Sequence, residues 1–239
     1  MLELKAISKR LGGLPILQEV HLSVSPDEIV FVLGRSGVGK SVLLKTIVGL
    51  IPQDQGKVFL NGQPMDCFDE SALTNFRRKV SLVFQMPALL DSLTVEENLL
   101  FALRKPFPER EELQNWLSEL QLDVKCLDRM PQELSLGVQK KISVLRSVLL
   151  KPQFLLFDEP TTGLDPVGTR MMNDLIVKSV RKTHSGCLIV SHDVQSALEI
   201  AHKIILLDQG RVVFEGKPFE LKQCQLLLAQ AFVQGIVSQ

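Results

Sequence analysis

The chain has 239 residues, 45% of them hydrophobic and 23% charged, with 27 Lys+Arg balanced by 27 Asp+Glu. These values fit one or two globular units with a sizeable core. They exclude a disordered, collagen-like or coiled-coil chain, and the zero net charge lacks the basic excess of a nucleic-acid binder or of a polybasic lipid-binding tail.

Leu2–Ile7, Val20–Val24, Ile29–Leu33 and Lys57–Leu60 are apolar or alternating and read as strands, the last followed by the turn dipeptide Asn61-Gly62. Ile29–Leu33 is continuously apolar, as a strand buried on both faces would be. Ser41–Leu50 has helix-forming spacing. Ser92–Leu103, Arg110–Leu120 and Lys140–Leu149 also carry apolar residues at helical spacing, punctuated by Pro106, Pro108 and Pro131. Thr94 with Glu97 three residues on forms a capping box. Residues 86–152 therefore read as a mostly helical insertion. Strand and helix alternate afterwards: Phe154–Phe157, then helix Val167–Lys182, strand Cys187–Val190 and helix Val194–Ala201. Ile204–Leu207 and Val212–Phe214 flank the hairpin turn Asp208–Arg211, and the chain from Pro218 onward reads as helical. This alternation predicts an α/β fold with a largely parallel sheet.

The cysteines Cys67, Cys126, Cys187 and Cys224 form no CxxC or Cys/His cluster, so neither a zinc site nor a disulfide framework is indicated. They read as small buried apolar residues in a reducing compartment. Met1–Lys5 lacks an apolar signal core, and no run of about 18 apolar residues occurs. The expectation is a cytoplasmic chain that does not span a membrane on its own. His21, His184, His202 and Trp116 read as surface or packing residues, and Arg77-Arg78-Lys79 as a solvated patch.

Two segments carry chemistry. Gly34-Arg35-Ser36-Gly37-Val38-Gly39-Lys40-Ser41 matches GxxxxGK[ST], with a buried strand before it and a helix after it. The glycines let several backbone N–H groups face phosphate oxygens, and the helix N-terminus adds its positive dipole end. Lys40 supplies a full charge, and the Ser41 hydroxyl can ligate Mg²⁺. The second segment is Phe154–Phe157, an apolar strand that ends in Asp158-Glu159. Ligands of parallel α/β sheets sit beyond the carboxyl ends of strands. Asp158 would hold Mg²⁺; Glu159, pointing the other way by strand alternation, can polarise an attacking water.

Further segments fix the resemblance. These are Leu134-Ser135-Leu136-Gly137-Val138-Gln139, then Gln85 closing a strand in Val83-Phe84-Gln85, Ser191-His192-Asp193 after a buried strand, and Pro160–Pro166. In that order the chain resembles the nucleotide-binding subunits of ABC transporters. The resemblance implies a P-loop ABC ATPase, with a RecA-like core plus antiparallel β subdomain from 1–85 and 153–239 and a helical subdomain over 86–152. It implies ATP and Mg²⁺, and a head-to-tail dimer enclosing two ATP molecules. Gly34, Arg35, Ser36, Gly37, Val38, Gly39, Lys40 and Ser41 would bind ATP. Ser41, Gln85 and Asp158 would serve the metal, and Glu159, His192 and Gln85 the hydrolysis. Ser135, Gly137 and Gln139 would act across the dimer, and Asp165 would tie the two sites together. A permease would be driven through the surface near 86–100.

Gly37–Lys45, Phe84–Asn98, Met130-Pro131 and Phe232-Val233-Gln234-Gly235 are, more narrowly, similar to the ATPases of mammalian-cell-entry (MCE) type lipid transporters. That implies phospholipid cargo, an MCE-domain partner and a place on the cytoplasmic face of the inner membrane. A motor for another cargo, a degenerate regulatory subunit, or one half of a heterodimer are the alternatives. Two departures stand out. Leu136 replaces the first signature glycine, which would weaken phosphate capping or point outward. Leu11 takes the place of the aromatic that usually stacks on adenine, which implies modest affinity and poor base selectivity.

Overall fold

The computed structural model describes residues 1–67, 69–103 and 110–233; Pro106, Pro108, Gln234 and Gly235 lie outside them. Strands β1 (Leu2–Leu11) and β2 (Leu14–Val24) form a long hairpin. Its two turn residues, Gly12 and Gly13, both have positive φ, as the turn that matches strand twist requires. Then follow β3 (Ile29–Leu33), α1 (Lys40–Ile47), β4 (Gln55–Leu60), β5 (Gln63–Pro64), α2 (Glu70–Lys79) and β6 (Val80–Val83). Between β6 and β7 the regular structure is helical: α3 (Val95–Leu103), α4 (Arg110–Glu119), two 3-10 turns at Val124–Asp128 and Pro131–Glu133, and α5 (Leu136–Val148). The remainder alternates: β7 (Phe154–Asp158), α6 (Pro166–Thr183), β8 (Gly186–Ser191), α7 (Val194–Ile200), β9 (Lys203–Asp208), β10 (Arg211–Gly216), α8 (Pro218–Gln223) and α9 (Leu227–Val233).

The strands make two sheets: a four-stranded antiparallel one in the order β2-β1-β4-β5, and a six-stranded one in the order β10-β9-β3-β8-β7-β6. The second is parallel from β9 to β6 and antiparallel at its β10 edge. Its two faces separate by strand alternation. Ile29, Phe31, Leu33, Leu155, Phe157 and Ile189 face a core shared with α3–α7, including Trp116, Ile142 and Ile176. Val30, Val32, Leu156, Leu188, Val190 and Ile205 face α1 and the antiparallel sheet.

Several local readings shift. β2 begins at Leu14 rather than Val20 because Ala6 and Glu19 adopt positive φ and break the pairing register, which interrupts the alternation that marks a strand. α3 starts at Val95, where the predicted capping box forms: Glu97 N donates to Thr94 Oγ1 at 3.2 Å and Thr94 N to Glu97 Oε2 at 2.8 Å. α5 starts at Leu136 because Ser135 is its N-cap. β6 ends at Val83, so Gln85 lies beyond the strand and does not close it. α2 buries only Leu73 and Phe76, too narrow a stripe for periodicity to reveal. Arg77 is not simply solvated. Its guanidinium donates to Val48 O (2.9 Å) and Gly49 O (3.0 Å), satisfying carbonyls at the end of α1; Arg78 and Lys79 are exposed. Cys126 and Cys187 are buried, whereas Cys67 and Cys224 are half-buried. Trp116 is 2% exposed and lies under the Lys182 ammonium, 4.0 Å from the ring centre.

The turn ahead of α3 hangs on one buried amide. Asn98 accepts from Leu90 N (2.7 Å) and donates towards Leu90 O, Leu93 O and Thr94 O at 3.0, 3.1 and 2.9 Å. Removing it leaves Leu90 N and Leu93 O without this partner. Asn98→Ala is expected to lower stability by about 2–3 kcal/mol in urea denaturation; a midpoint equal to that of the parent chain would show that the turn holds without it.

Candidate functional site

β3, β8 and β7 lie side by side, with Leu33 opposite Ser191 and Asp158 opposite Val190. Their carboxyl ends therefore bring residues far apart in sequence into one place. Beyond β3 the chain turns through Gly34–Gly39 into α1. Gly39 is the N-cap of that helix with φ 108°, and a Cβ there would lie 2.9 Å from Ile16 O. Conformation and space both demand glycine. The loop and the free N–H groups of the first turn of α1 make a concave surface of donors, the arrangement that takes phosphate.

Lys40 opens α1 and is 6% exposed. Its ammonium donates to Gly34 O (2.7 Å) and Arg35 O (3.1 Å) and lies 3.4 Å from Glu159 Oε1. Ser41 Oγ donates to Asp158 Oδ1 at 2.9 Å. Burial pushes the Asp158 carboxyl above the ordinary aspartate range, opposed by the Ser41 hydrogen bond and reinforced by the negative charge of Glu159. A hydroxyl and a carboxylate oxygen so placed are hard donors of the kind Mg²⁺ accepts alongside waters and phosphate oxygens. Among the described residues no group of three or more His, Cys, Asp and Glu side chains could hold a metal ion.

Glu159 leaves the strand with φ 49°, so strand alternation does not aim its side chain. Instead Oε2 receives the His192 ring Nδ1 at 2.8 Å, Ser191 Oγ at 3.2 Å, Thr162 Oγ1 at 3.3 Å and His192 N at 3.4 Å. Gly34–Gly37, Gly39, Lys40, Ser41, Gln85, Glu159 and His192 line one cleft of about 600 Å³. Val38 does not line it and packs against the core under α1. The cleft can hold a polyphosphate against the loop, with a carboxylate held next to the terminal phosphate position.

Other predicted residues lie apart from this cleft. Ser135 and Leu136 are exposed at the start of α5. Gln139 turns inward, donating to Pro131 O (2.9 Å) and Leu134 O (3.0 Å), so its amide is engaged within the chain. Asp165 caps α6 through Gly168 N at 2.6 Å. Leu136 does not simply point outward: its side chain lies 3.3 Å from where a Cβ on Gly163 would stand. Leu11 sits at the hairpin tip, 40% exposed, and the apolar residue that β2 contributes to the cleft is Ile16. Ile16 and Phe232 were not read as site residues. Only the fold brings Ile16 against Gly39; Phe232 belongs to a recognisable terminal motif that carries no chemical signal of its own.

The ABC transporter family model matches residues 17–162. The chain is 32% identical to the methionine import ATP-binding protein MetN 1 of Paraburkholderia xenovorans, covering all of this chain and 72% of that protein. It is 32% identical to the sulfate/thiosulfate import ATP-binding protein CysA of Synechocystis, covering 98% of this chain but only 64% of that protein. With the intermembrane phospholipid transport system ATP-binding protein MlaF of Haemophilus influenzae it shares 29% identity over 98% of this chain and 90% of the relative. The fold superposes with a TM-score of 0.80 on a dimeric ATP-binding cassette in a post-hydrolysis state with ADP and phosphate bound, at 29% identity, over 91% of this chain and 99% of that one. The chain belongs to the ABC transporter family, as an ATPase subunit with the P-loop ABC fold that uses ATP with Mg²⁺.

Proposed function

We propose that this chain is the motor of a transporter that moves phospholipid or a related lipid through an MCE-type permease complex, acting as a homodimer on the cytoplasmic face of the membrane. The observation that carries the motor chemistry is the Glu159 carboxylate, held between Lys40 and His192 at the mouth of the phosphate loop. Residues 34–41 take the phosphates of ATP through backbone N–H groups, and Lys40 pairs with the terminal ones. Ser41, Asp158 and Gln85 would hold Mg²⁺, which when bound would neutralise phosphate charge. Glu159 accepts a proton as a water oxygen bonds to the γ-phosphorus and the bond to the bridging oxygen breaks, giving ADP and phosphate. His192, already bonded to Glu159, holds that carboxylate and the γ-phosphate in line.

Ser135 and Gly137 of one copy cap the γ-phosphate held by the other, and Asp165 links the two sites. The exposure of Ser135 supports this, because a residue buried in its own chain could not reach a second copy. Docking of a permease near 86–100 is supported by apolar side chains standing in solvent around that segment, with Met86 68% and Phe101 67% exposed. Among the described residues no helix is long and apolar enough to cross a membrane; in this reading the chain is held at the membrane by that permease. The lipid reading is supported by the sequence segments around the phosphate loop and residues 84–98 and by the similarity to MlaF. Similar identity to methionine and sulfate importers favours a second reading, the same motor with another cargo.

Glu159→Gln is expected to lower ATP turnover by about 10³-fold while ATP-driven dimerisation persists in light scattering; loss of both together would remove Glu159 from the role of base. Leu136→Gly is expected to raise turnover severalfold, and an unchanged or lower rate would mean that Leu136 does not restrain capping. Purification of the tagged chain from its native membranes tests the cargo. A polytopic permease with an MCE-domain protein and bound phospholipid is the expected result, and a permease without them overturns the lipid reading.

A further inference from the structure

Lys140 is a buried cation with no part in the chemistry above. It lies in the second turn of α5, is 5% exposed, and its ammonium is aimed at three backbone carbonyls: Thr162 O at 2.6 Å, Pro160 O at 3.0 Å and Glu159 O at 3.4 Å. Three acceptors match the three donors of an ammonium. Burying such a group is costly unless it is matched in this way. Burial holds the Lys140 ammonium below the ordinary lysine range, against the opposing pull of the nearby Glu159 charge.

The carbonyls belong to a four-residue loop with an unusual shape. Glu159 sits at φ 49°, a conformation that is strained for a non-glycine residue and persists only where its surroundings hold it. On one side Glu159 N donates to Val190 O at 2.9 Å. On the other, Lys140 gathers the carbonyls. Thr162 is drawn in by the shortest of these bonds, and its hydroxyl reaches Glu159 Oε2 at 3.3 Å. Lys140 thus bears on the carboxylate twice, through the Glu159 backbone and through Thr162. It is also on the helix that begins at Ser135 and Leu136, and Leu136 rests over Gly163, the residue that follows this loop.

We propose that Lys140 is a positioning residue: it clamps the 159–162 loop to the signature helix of the same chain and so sets the direction of the Glu159 carboxylate. The proposal rests on the reading of Glu159 as base. A residue that served only stability would, when removed, lower kcat and ATP affinity together or neither. A positioning residue splits them. Lys140→Met in the full-length chain is expected to lower kcat by about 30-fold with the ATP dissociation constant within about threefold of the parent value. Lys140→Arg, which keeps charge and donors, is expected to restore most of that rate. Amide hydrogen exchange of Thr162 and Leu164 is expected to quicken in Lys140→Met, with exchange over Gly34–Ser41 unchanged.

A kcat within about threefold of the parent, or a loss shared equally between kcat and affinity, overturns the proposal. So does unaltered exchange at Thr162 and Leu164. If Lys140→Met shows no cooperative thermal transition, Lys140→Gln is read by the same criteria. If the parent chain itself fails to hydrolyse ATP, the reading of Glu159 as base fails, and the exchange data alone then decide whether the clamp exists.

Discussion

The site depends on the register of three parallel strands. β3, β8 and β7 are adjacent, fully buried and apolar, and their ends lie level: Leu33 against Ser191, Val190 against Asp158. Because a one-residue slip would turn every side chain to the opposite face, the core on both sides of the sheet fixes that register. The consequence is chemical. The phosphate loop, the Asp158-Glu159 pair and Ser191-His192 come from three distant stretches, and the register of these strands brings Ser41 to 2.9 Å from Asp158 and His192 to 2.8 Å from Glu159.

Around those strand ends lies an unusual density of buried charge. Lys40, Lys140, Asp158 and Glu159 are each less than 9% exposed. Taken singly, each would be costly to desolvate; together they are matched, Lys40 to Glu159 and two carbonyls, Asp158 to the Ser41 hydroxyl, Lys140 to three carbonyls. Such networks hold a unique geometry only when every member is satisfied. The loss of any one leaves its partners buried and unpaired, and that loss costs more than the contact itself contributes. This is the physical basis of the proposal that a change at Lys140, which touches no phosphate, bears on the Glu159 carboxylate.

Much of this was legible in the sequence because it is carried by local rules. The continuous apolar runs, the glycine spacing before Lys40-Ser41, the paired acids at a strand end and the Thr94/Glu97 box each declare themselves within a few residues. What stayed hidden depends on tertiary contact. Arg77 reads as one of three solvated cations until the end of α1 is placed beside it. Gln139 reads as a surface motif residue until its amide is seen folded back on Pro131 and Leu134. Ile16 falls outside the strands legible in the sequence, and Leu11 takes the adenine-stacking place in the resemblance, because the bulges in β1 and β2 shift the hairpin in a way alternation does not encode. Lys140 reads as a helix residue among others.

The departure at Leu136 gains a physical setting from the same contacts. A glycine there would leave the start of α5 free of side-chain packing on the loop that follows β7. Leucine instead lays a side chain across Gly163, while Lys140, one turn further along, draws in the carbonyls of Pro160 and Thr162. These two contacts, one helical turn apart, both tie the start of α5 to residues 160–163. The exposed Ser135, which in the proposed dimer would meet a second copy, therefore caps the helix whose Lys140 holds the carbonyl of Glu159.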